Sequence, residues 1–535
     1  MRILMEFTTI NYRMWHSLAK RLQEIYPGSR FAVILGIAPG GEHILDFLTK
    51  QNDVKYEFIR LHHEIMKTAF ESEIDFEGLK KFEEKLPQKS LWRVIAADRG
   101  IGSKFMHGVI WQKTFINQNA SHENILRIFS GLLRQFRDIF EDFRPDLFLP
   151  AIAMGSIGVF IFEQICKEMN IPYIVPANVR VKNICAFSDD TQLRFPQIDE
   201  TYKKLLEGRL SLDLLPAEKL YKELMSELEN PAYFDLKNDR MKRVEISGIL
   251  DKIKLLLLYI PYSVGRELLN WIMLEKFKDI RSQPNNLATL LDNISFAVQF
   301  RLQQLRVTDP AFGTKLDSAQ KYLYYPLHTN PEYSTQVQGT MWLDQIHLIE
   351  LLAKSVPSDW VVYVKEHPAT IKHRLRPWSF YRRIERIPNV VLAPVYMDMH
   401  NIIDNAEMIA VITGTTGWEA ILRNKPVITF ADHLIDVLNL SRKCTDIEKL
   451  SVDIHDEIRR IEKVSKAERE RRIVCFLAAI LKHGFWMDYP KQLFYIESGT
   501  DNEYEIAGRQ VADALETHLA YIREKKSTKL YSTTA

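Results

Sequence analysis

V-V-Y-V-K-E-H-P (Val361 to Pro368) and I-A-V-I-T-G-T-T-G-W-E-A (Ile409 to Ala420) decide the fold of this chain. Each is a short β-branched run that stops abruptly in residues suited to anion binding and to starting a helix. Two such turns within one segment place both loops at the same edge of a parallel sheet, where α/β proteins bind phosphorylated ligands. The segment from Val361 to Phe430 therefore predicts a nucleotide or nucleotide-sugar site.

Working outward, the strand Y-L-Y-Y-P-L-H from Tyr322 leads into the polar loop H-T-N-P-E-Y-S-T (His328 to Thr335). A helix is expected over Trp342 to Lys354, headed by Asp344 and Gln345 as capping and surface residues. N-V-V-L-A-P, a short helix over Met399 to Asn405, a helix over Trp418 to Arg423 and the strand P-V-I-T-F (Pro426 to Phe430) complete a doubly wound domain.

The first 200 residues alternate in the same way. Phe31 to Ile37 reads as a buried strand broken at Pro39-Gly40-Gly41, and Val54 to Arg60 and Trp92 to Ala97 as two more. From Pro145, D-L-F-L-P-A-I-A, a helical stretch over Gly155 to Asn170 and I-P-Y-I-V-P (Ile171 to Pro176) read as a βαβ unit, hence a parallel sheet. From Thr201 to Asp309 the strand signals vanish and apolar residues recur at three and four, as in a helical insert. The expected division is 1–200 as a first Rossmann-like domain, 201–310 as a helical arm, 311–490 as a second Rossmann-like domain, and 491–535 as a terminal helix with a polar tail. Within the arm, Lys252 to Lys276 joins L-L-L-L-Y-I with Lys254, Arg266, Trp271 and Lys276. Such a stretch suits either an anionic membrane surface or an ordinary packed helix pair.

At 535 residues the chain exceeds one ordinary core, and 46% hydrophobic with 26% charged residues is average for a globular protein. A net charge of +2 gives no argument for nucleic acid. Four cysteines without a C-x-x-C pair disfavour a disulfide framework or a zinc site. No run of about 18 apolar residues occurs, and the first residues lack a signal-peptide pattern, so the cytoplasm is the expected compartment.

Several side chains in these loops carry chemistry. Gly414 and Gly417 suit a tight βα corner with positive φ, and Thr413, Thr415 and Thr416 offer hydroxyls beside the free N–H groups of the next helix. Helix capping explains the same residues without a ligand. The loop is neither a Walker A motif nor a dinucleotide fingerprint. Glu419, in the first helical turn, suits ribose hydroxyls or simply the helix dipole. His367 follows a buried strand and would donate to a phosphate oxygen, with Pro368 at a helix start. Lys365 and Glu366 point to opposite faces, so one reaches the ligand while the other is packed or solvated. His328 and Glu332 lie at the carboxyl edge of the first strand, and Glu332 would bind sugar hydroxyls or act as an acid or base. Asp98, in A-A-D-R-G-I-G (Ala96 to Gly102), is a candidate base at a first-domain sheet edge, or one half of an Asp–Arg turn with Arg99.

Taken in order, Y-P-L-H-T-N-P-E, D-Q-I-H-L-I-E-L-L-A-K-S, Y-V-K-E-H-P and V-I-T-G-T-T-G-W-E-A-I-L-R-N-K-P-V-I-T-F resemble the capsule polysaccharide biosynthesis family of bacterial glycosyltransferases, which includes Kdo transferases. The His-Pro and hydroxyl-rich elements are also similar to those of bacterial sialyltransferases. The likeness covers about Tyr322 to Phe430. It implies a GT-B fold, two Rossmann-like domains facing across a cleft, with the nucleotide-sugar donor on the second. It further implies that His367 and the Thr415/Thr416 pair hold the donor phosphate, that Glu419 serves the ribose side, and that neither cofactor nor metal is needed. The implied donor is CMP-linked and the acceptor a saccharide or glycolipid at the inner face of the membrane. This chain departs from the sialyltransferase pattern in having Thr-Thr for Ser-Ser and A-D-R-G for an acidic pair before Gly. A polyol-phosphate transferase, a nucleotide-sugar 2-epimerase and a non-catalytic scaffold of a polysaccharide assembly complex are the competing readings.

Overall fold

The computed structural model describes residues 1–36, 41–106, 115–151, 155–229, 253–273, 287–309, 311–368, 370–373, 376–487 and 500–532. Pro39 and Gly40, Lys252 and Lys276 lie outside the described residues. The chain is α/β and divides into two units.

The first unit comprises Met1–Leu91, Ser121–Asp213 and Cys475–Ala535. Its main sheet is built from β1 (Arg2–Thr8), β2 (Arg30–Gly36), β3 (Tyr56–Leu61) and β4 (Leu147–Leu149), in the order β3-β2-β1-β4 with every pairing parallel. Central β1, R-I-L-M-E-F-T, is buried along nearly its whole length, as a parallel strand covered on both faces must be. The sequence reading passed over it and found only its neighbours. The expected βαβ unit from Pro145 is realised in part: β4 meets the chain again through a single parallel bridge, Phe148 to Tyr173. The chain then peels away into an antiparallel sheet of β5 (Val175–Asn178), β6 (Ile184–Ser188) and β13 (Phe485–Trp486).

The 491–535 segment is not a separate tail. Helix Asp501–Ser532 packs along helix Tyr12–Ile25 in the core of the first unit, through Val511, Ala512 and Leu515. Arg13 reaches Asp501 at 3.1 Å and Arg21 reaches Asp513 at 3.0 Å. A Cβ on Gly508 would come 2.5 Å from the Cβ of Ser17, so only glycine lets the helices approach this closely.

The second unit comprises Trp92–Ala120 and Leu214–Val474. Its sheet is formed by β7 (Lys321–Pro326), β8 (Trp360–Lys365), β9 (Val390–Ala393), β10 (Met408–Val411), β11 (Val427–Thr429) and β12 (Arg442–Lys443). The order is β12-β11-β10-β7-β8-β9, all parallel. Relabelled from its own first strand this is 6-5-4-1-2-3, the doubly wound Rossmann order, with its switch point between β7 and β10. Leu323, Val362, Val364, Ala410 and Ile428 anchor its core.

Two expectations fail here for one reason. Trp92 to Ala97 is not a strand: Leu91–Ala96 is a helix, and the segment that follows belongs to the second unit. Asp98 is therefore not at a first-domain sheet edge. A short apolar run fits either period, and only packing decides between them. The four cysteines are buried free thiols.

Candidate active site

The loops after β7, β8 and β10 meet at the carboxyl edge of the second sheet. His328 accepts a hydrogen bond at Nε2 from the Ile412 N–H, 3.2 Å away, joining the two strands that flank the switch point. Gln345 holds the same histidine from both sides: its Oε1 accepts from the His328 N–H at 2.8 Å, and its Nε2 donates to the His328 carbonyl at 2.8 Å. Gln345 is thus a buried strut rather than a surface residue, whereas Asp344 caps the helix Gln345–Ser355 as expected. His328 was expected to touch donor; it is buried and spends its contacts on the scaffold.

The glycines of T-G-T-T-G also act differently from expectation. Gly414 has φ −75°, and Gly417 lies inside the helix Thr415–Leu422, so neither supplies positive φ. They supply close approach: a Cβ on Gly414 would stand 3.0 Å from His328 Nε2, and one on Gly417 3.0 Å from Val411 Cγ2. His433 holds the Gly414 carbonyl at 3.2 Å. The result is a helix N-terminus pinned at the switch point, with Thr415 exposed and Thr416 buried against Met399. Thr413 is buried, its hydroxyl without a partner.

β8 ends at Lys365, so Glu366 already belongs to the loop, and both side chains are buried. Glu366 is fully buried: its Oε2 accepts from Arg376 Nε at 2.8 Å and from the Tyr381 hydroxyl at 2.7 Å, and its Oε1 from the His367 N–H at 2.8 Å. Arg376 then donates to the His328 carbonyl at 2.6 Å. Glu366, expected among the donor contacts, is instead the anchor that ties the β8 loop to the β7 loop. Arg376 and Tyr381 escaped the sequence reading. Nothing in their local pattern marks them, since they are ten and fifteen residues beyond their partner.

Lys365 lies on the face of β8 shared with Tyr363, which packs on Tyr322 of β7. Its side chain is buried and makes no hydrogen bond or ion pair among the described residues, while its carbonyl accepts from the Leu327 N–H at 2.8 Å. Burial lowers its pKa to about 8, against the pull of Glu366 and Asp398. A desolvated ammonium in this position favours an incoming anion. Tyr324, also fully buried, has its pKa raised by burial and then by the negative charge of Glu419, so Glu419 sits beside β7. His367 is exposed at the head of the turn, its carbonyl accepting from the Thr370 hydroxyl at 2.7 Å.

Glu332, expected as a sugar ligand or an acid or base at the carboxyl edge of β7, is exposed, while its backbone holds the turn with Thr335. Asp98 accepts at Oδ1 from the Gly100 N–H at 2.7 Å and the Ile101 N–H at 3.1 Å, the turn-holding alternative. Arg99 Nε donates to Gln336 Oε1 at 3.0 Å, fastening that turn to the 334–338 segment of the same unit. In the first unit the corresponding switch point, between β1 and β4, holds a group the sequence reading missed. Glu6 Oε2 accepts from the Ala151 N–H at 2.9 Å, and burial raises its pKa to about 7. No group of three or more His, Cys, Asp or Glu arranged for a metal ion occurs among the described residues.

Residues 266–470 match the model of a family described as capsule polysaccharide biosynthesis protein. No curated protein sequence matches the chain. Among solved structures, UDP-GlcNAc 2-epimerase from Neisseria meningitidis bound to UDP-GlcNAc is 12% identical, with 90% of this chain and 100% of that one covered at a TM-score of 0.24. Two KpsC structures from Thermosulfurimonas dismutans also align. The beta Kdo 2,7 transferase is 8% identical over 70% of this chain and 88% of its own, with a TM-score of 0.32. The beta Kdo 2,4 transferase is 9% identical over 67% and 86%, with a TM-score of 0.31.

Proposed function

We propose, from the match of residues 266–470 to the capsule polysaccharide biosynthesis family, that this chain is a glycosyltransferase using a nucleotide-sugar donor. The observation that carries the reading is Lys365, a buried ammonium without an ion pair at the carboxyl end of β8, next to the switch strand β7. An anionic leaving phosphate supplies the charge it lacks. The exposed His367 and Thr415 and the N-terminus of helix Thr415–Leu422 donate to the phosphate oxygens, and Glu419 serves the ribose side. Thr413, Gly414, Thr416 and Gly417 shape the corner.

In the reaction an acceptor hydroxyl attacks the anomeric carbon while the bond to the phosphate oxygen breaks. Lys365, His367 and the helix terminus stabilise the charge that builds on the departing phosphate. Glu332 is the exposed carboxylate assigned to the acceptor proton; its Oε2 also accepts from Ser334 Oγ at 3.5 Å, and Asp98 Oδ1 holds its own turn. The assignment calls on no metal. The donor is a CMP-linked, Kdo-like sugar and the acceptor a surface polysaccharide or glycolipid, met at the inner face of the membrane.

Incubation with CMP-Kdo and a saccharide acceptor is expected to release CMP together with a new glycosidic bond. Donor isomerisation without release would point to an epimerase, and transfer of a phosphate to the acceptor to a polyol-phosphate transferase. Nucleotide binding without any product would leave only a scaffold.

Lys365 adds a pH signature. Bound phosphate favours the protonated amine, so binding takes up a proton once the free protein has lost it. Affinity is therefore flat below the free-state value of about 8 and falls as pH rises through it. Between pH 7 and pH 9 the Kd for CMP, by calorimetry, is expected to rise about tenfold. Lys365→Met should bind weakly at both pH values, and an equal pH slope in that variant would remove Lys365 from the site.

A further inference from the structure

In a water-soluble domain a surface helix turns its apolar stripe inward and its polar residues out. A helical pair in the second unit reverses that order on its first helix. It consists of a π-turn at Leu255–Tyr259 running into helix Ile260–Met273, packed on helix Leu287–Val307. Leu258, Tyr262, Leu269 and Ile272 recur at spacings of four, seven and three, one helical stripe, and each is more than 60% exposed. Leu257 beside them, and Leu287 and Leu291 on the second helix, are also more than half exposed.

The polar residues are inside. Ser263 and Glu267 are buried, Arg301 Nε donates to Ser263 Oγ at 3.4 Å, and Arg301 donates to Gln304 at 2.9 Å. Gln304 in turn donates to the Ile371 carbonyl at 2.8 Å, rooting the pair in the Rossmann unit. The second helix buries polar Thr289, Asn293 and Gln303 together with apolar Leu290, Ala297 and Val307.

We propose that the outward face of this pair is a docking surface for an anionic lipid bilayer. Two observations select that occupant. No helix among the described residues is long and apolar enough to cross a membrane. The exposed charges of the first helical segment have one sign. Over residues 253–273 the exposed charged side chains are Lys254 and Arg266, while the acid, Glu267, is turned in and paired with Arg266 at 3.0 Å. A second copy docking by two-fold symmetry would bring those cations against themselves, whereas anionic headgroups complement them. Leucine and isoleucine entering the acyl boundary, with Tyr259, Tyr262 and the cations at headgroup level, is the pattern of an interfacial helix.

Docking needs neither donor nor turnover. Its extension to the acceptor, a lipid-linked saccharide presented at that surface, rests on the transferase reading. The test is co-sedimentation of the full chain with phosphatidylcholine vesicles, with and without about one-third phosphatidylglycerol. Binding to the anionic vesicles is expected, at least about tenfold weaker on the neutral ones and weakened by salt. Leu258→Glu/Leu269→Glu should lose about tenfold or more on anionic vesicles and keep the wild-type melting temperature and its shift with CMP. Lys254→Gln, which leaves the apolar face whole, should weaken anionic binding alone. Wild-type binding to neither vesicle, or unchanged binding by the double variant, would overturn the proposal. So would a wild-type dimer that the double variant dissolves, with no vesicle binding. Vesicle binding without sugar transfer to a soluble acceptor would instead sink the transferase reading and leave this one standing.

Discussion

His367→Ala is expected to cut sugar transfer by about a hundredfold or more, the usual loss when a positioned acid–base group is removed. The protein should stay folded. The imidazole is exposed, and what anchors the turn is backbone: the His367 N–H donating to Glu366 and its carbonyl accepting from Thr370. Alanine preserves both, so the melting temperature should move by no more than about 2 °C, as for other surface changes. CMP binding should weaken far less than turnover, because Lys365 and the helix N-terminus still meet the phosphate. Turnover at the wild-type rate with CMP-Kdo would remove His367 from the mechanism.

Arg376→Ala is expected to have the largest effect on stability. Arg376 and Glu366 have side-chain exposures of 2% and 0%, and the guanidinium also serves the His328 carbonyl and lies 4.7 Å over the Phe380 ring. Removing it strands a buried carboxylate with only the Tyr381 hydroxyl and one backbone N–H. The cost of breaking such a pair is about 3–5 kcal/mol. Urea unfolding of the second unit should show it as a lower midpoint, or the variant should fail to accumulate. Glu366→Gln/Arg376→Met, which removes both charges, should lose much less. If the single and double variants were equally unstable, the charge pair would not be what holds the β7 and β8 loops together.

The parts of the site that were legible in the sequence are those in which backbone and ligand chemistry are local. β8 and β10 announce themselves as β-branched runs, Asp344 as a cap, and H-P and T-G-T-T-G as breaks into helices. The glycines were found for a reason the fold does not use. Their need for no side chain comes from His328 and Val411, one of them more than eighty residues away. Gln345 reads as an ordinary first-turn polar residue until His328 is placed against it. The Leu91–Ala96 helix and central β1 were misread or missed, because short apolar runs carry no period long enough to measure. The exposed leucines of the helical pair show the same limit from the other side. Their spacing gives a stripe, and a stripe does not say whether core or lipid lies against it.

The sequence by itself determined an α/β chain whose second half breaks from strands into helix-starting loops at one sheet edge, because strand runs, helix caps and loop hydroxyls act over a few residues. Only the tertiary structure decided which charged groups are free to meet a ligand. It neutralised Glu366 with Arg376, left Lys365 buried and without an ion pair, returned the C-terminal helix to the first unit, and turned the leucines of the helical pair outward. Burial and pairing depend on partners ten to several hundred residues distant, and a linear pattern holds no record of which partner arrives.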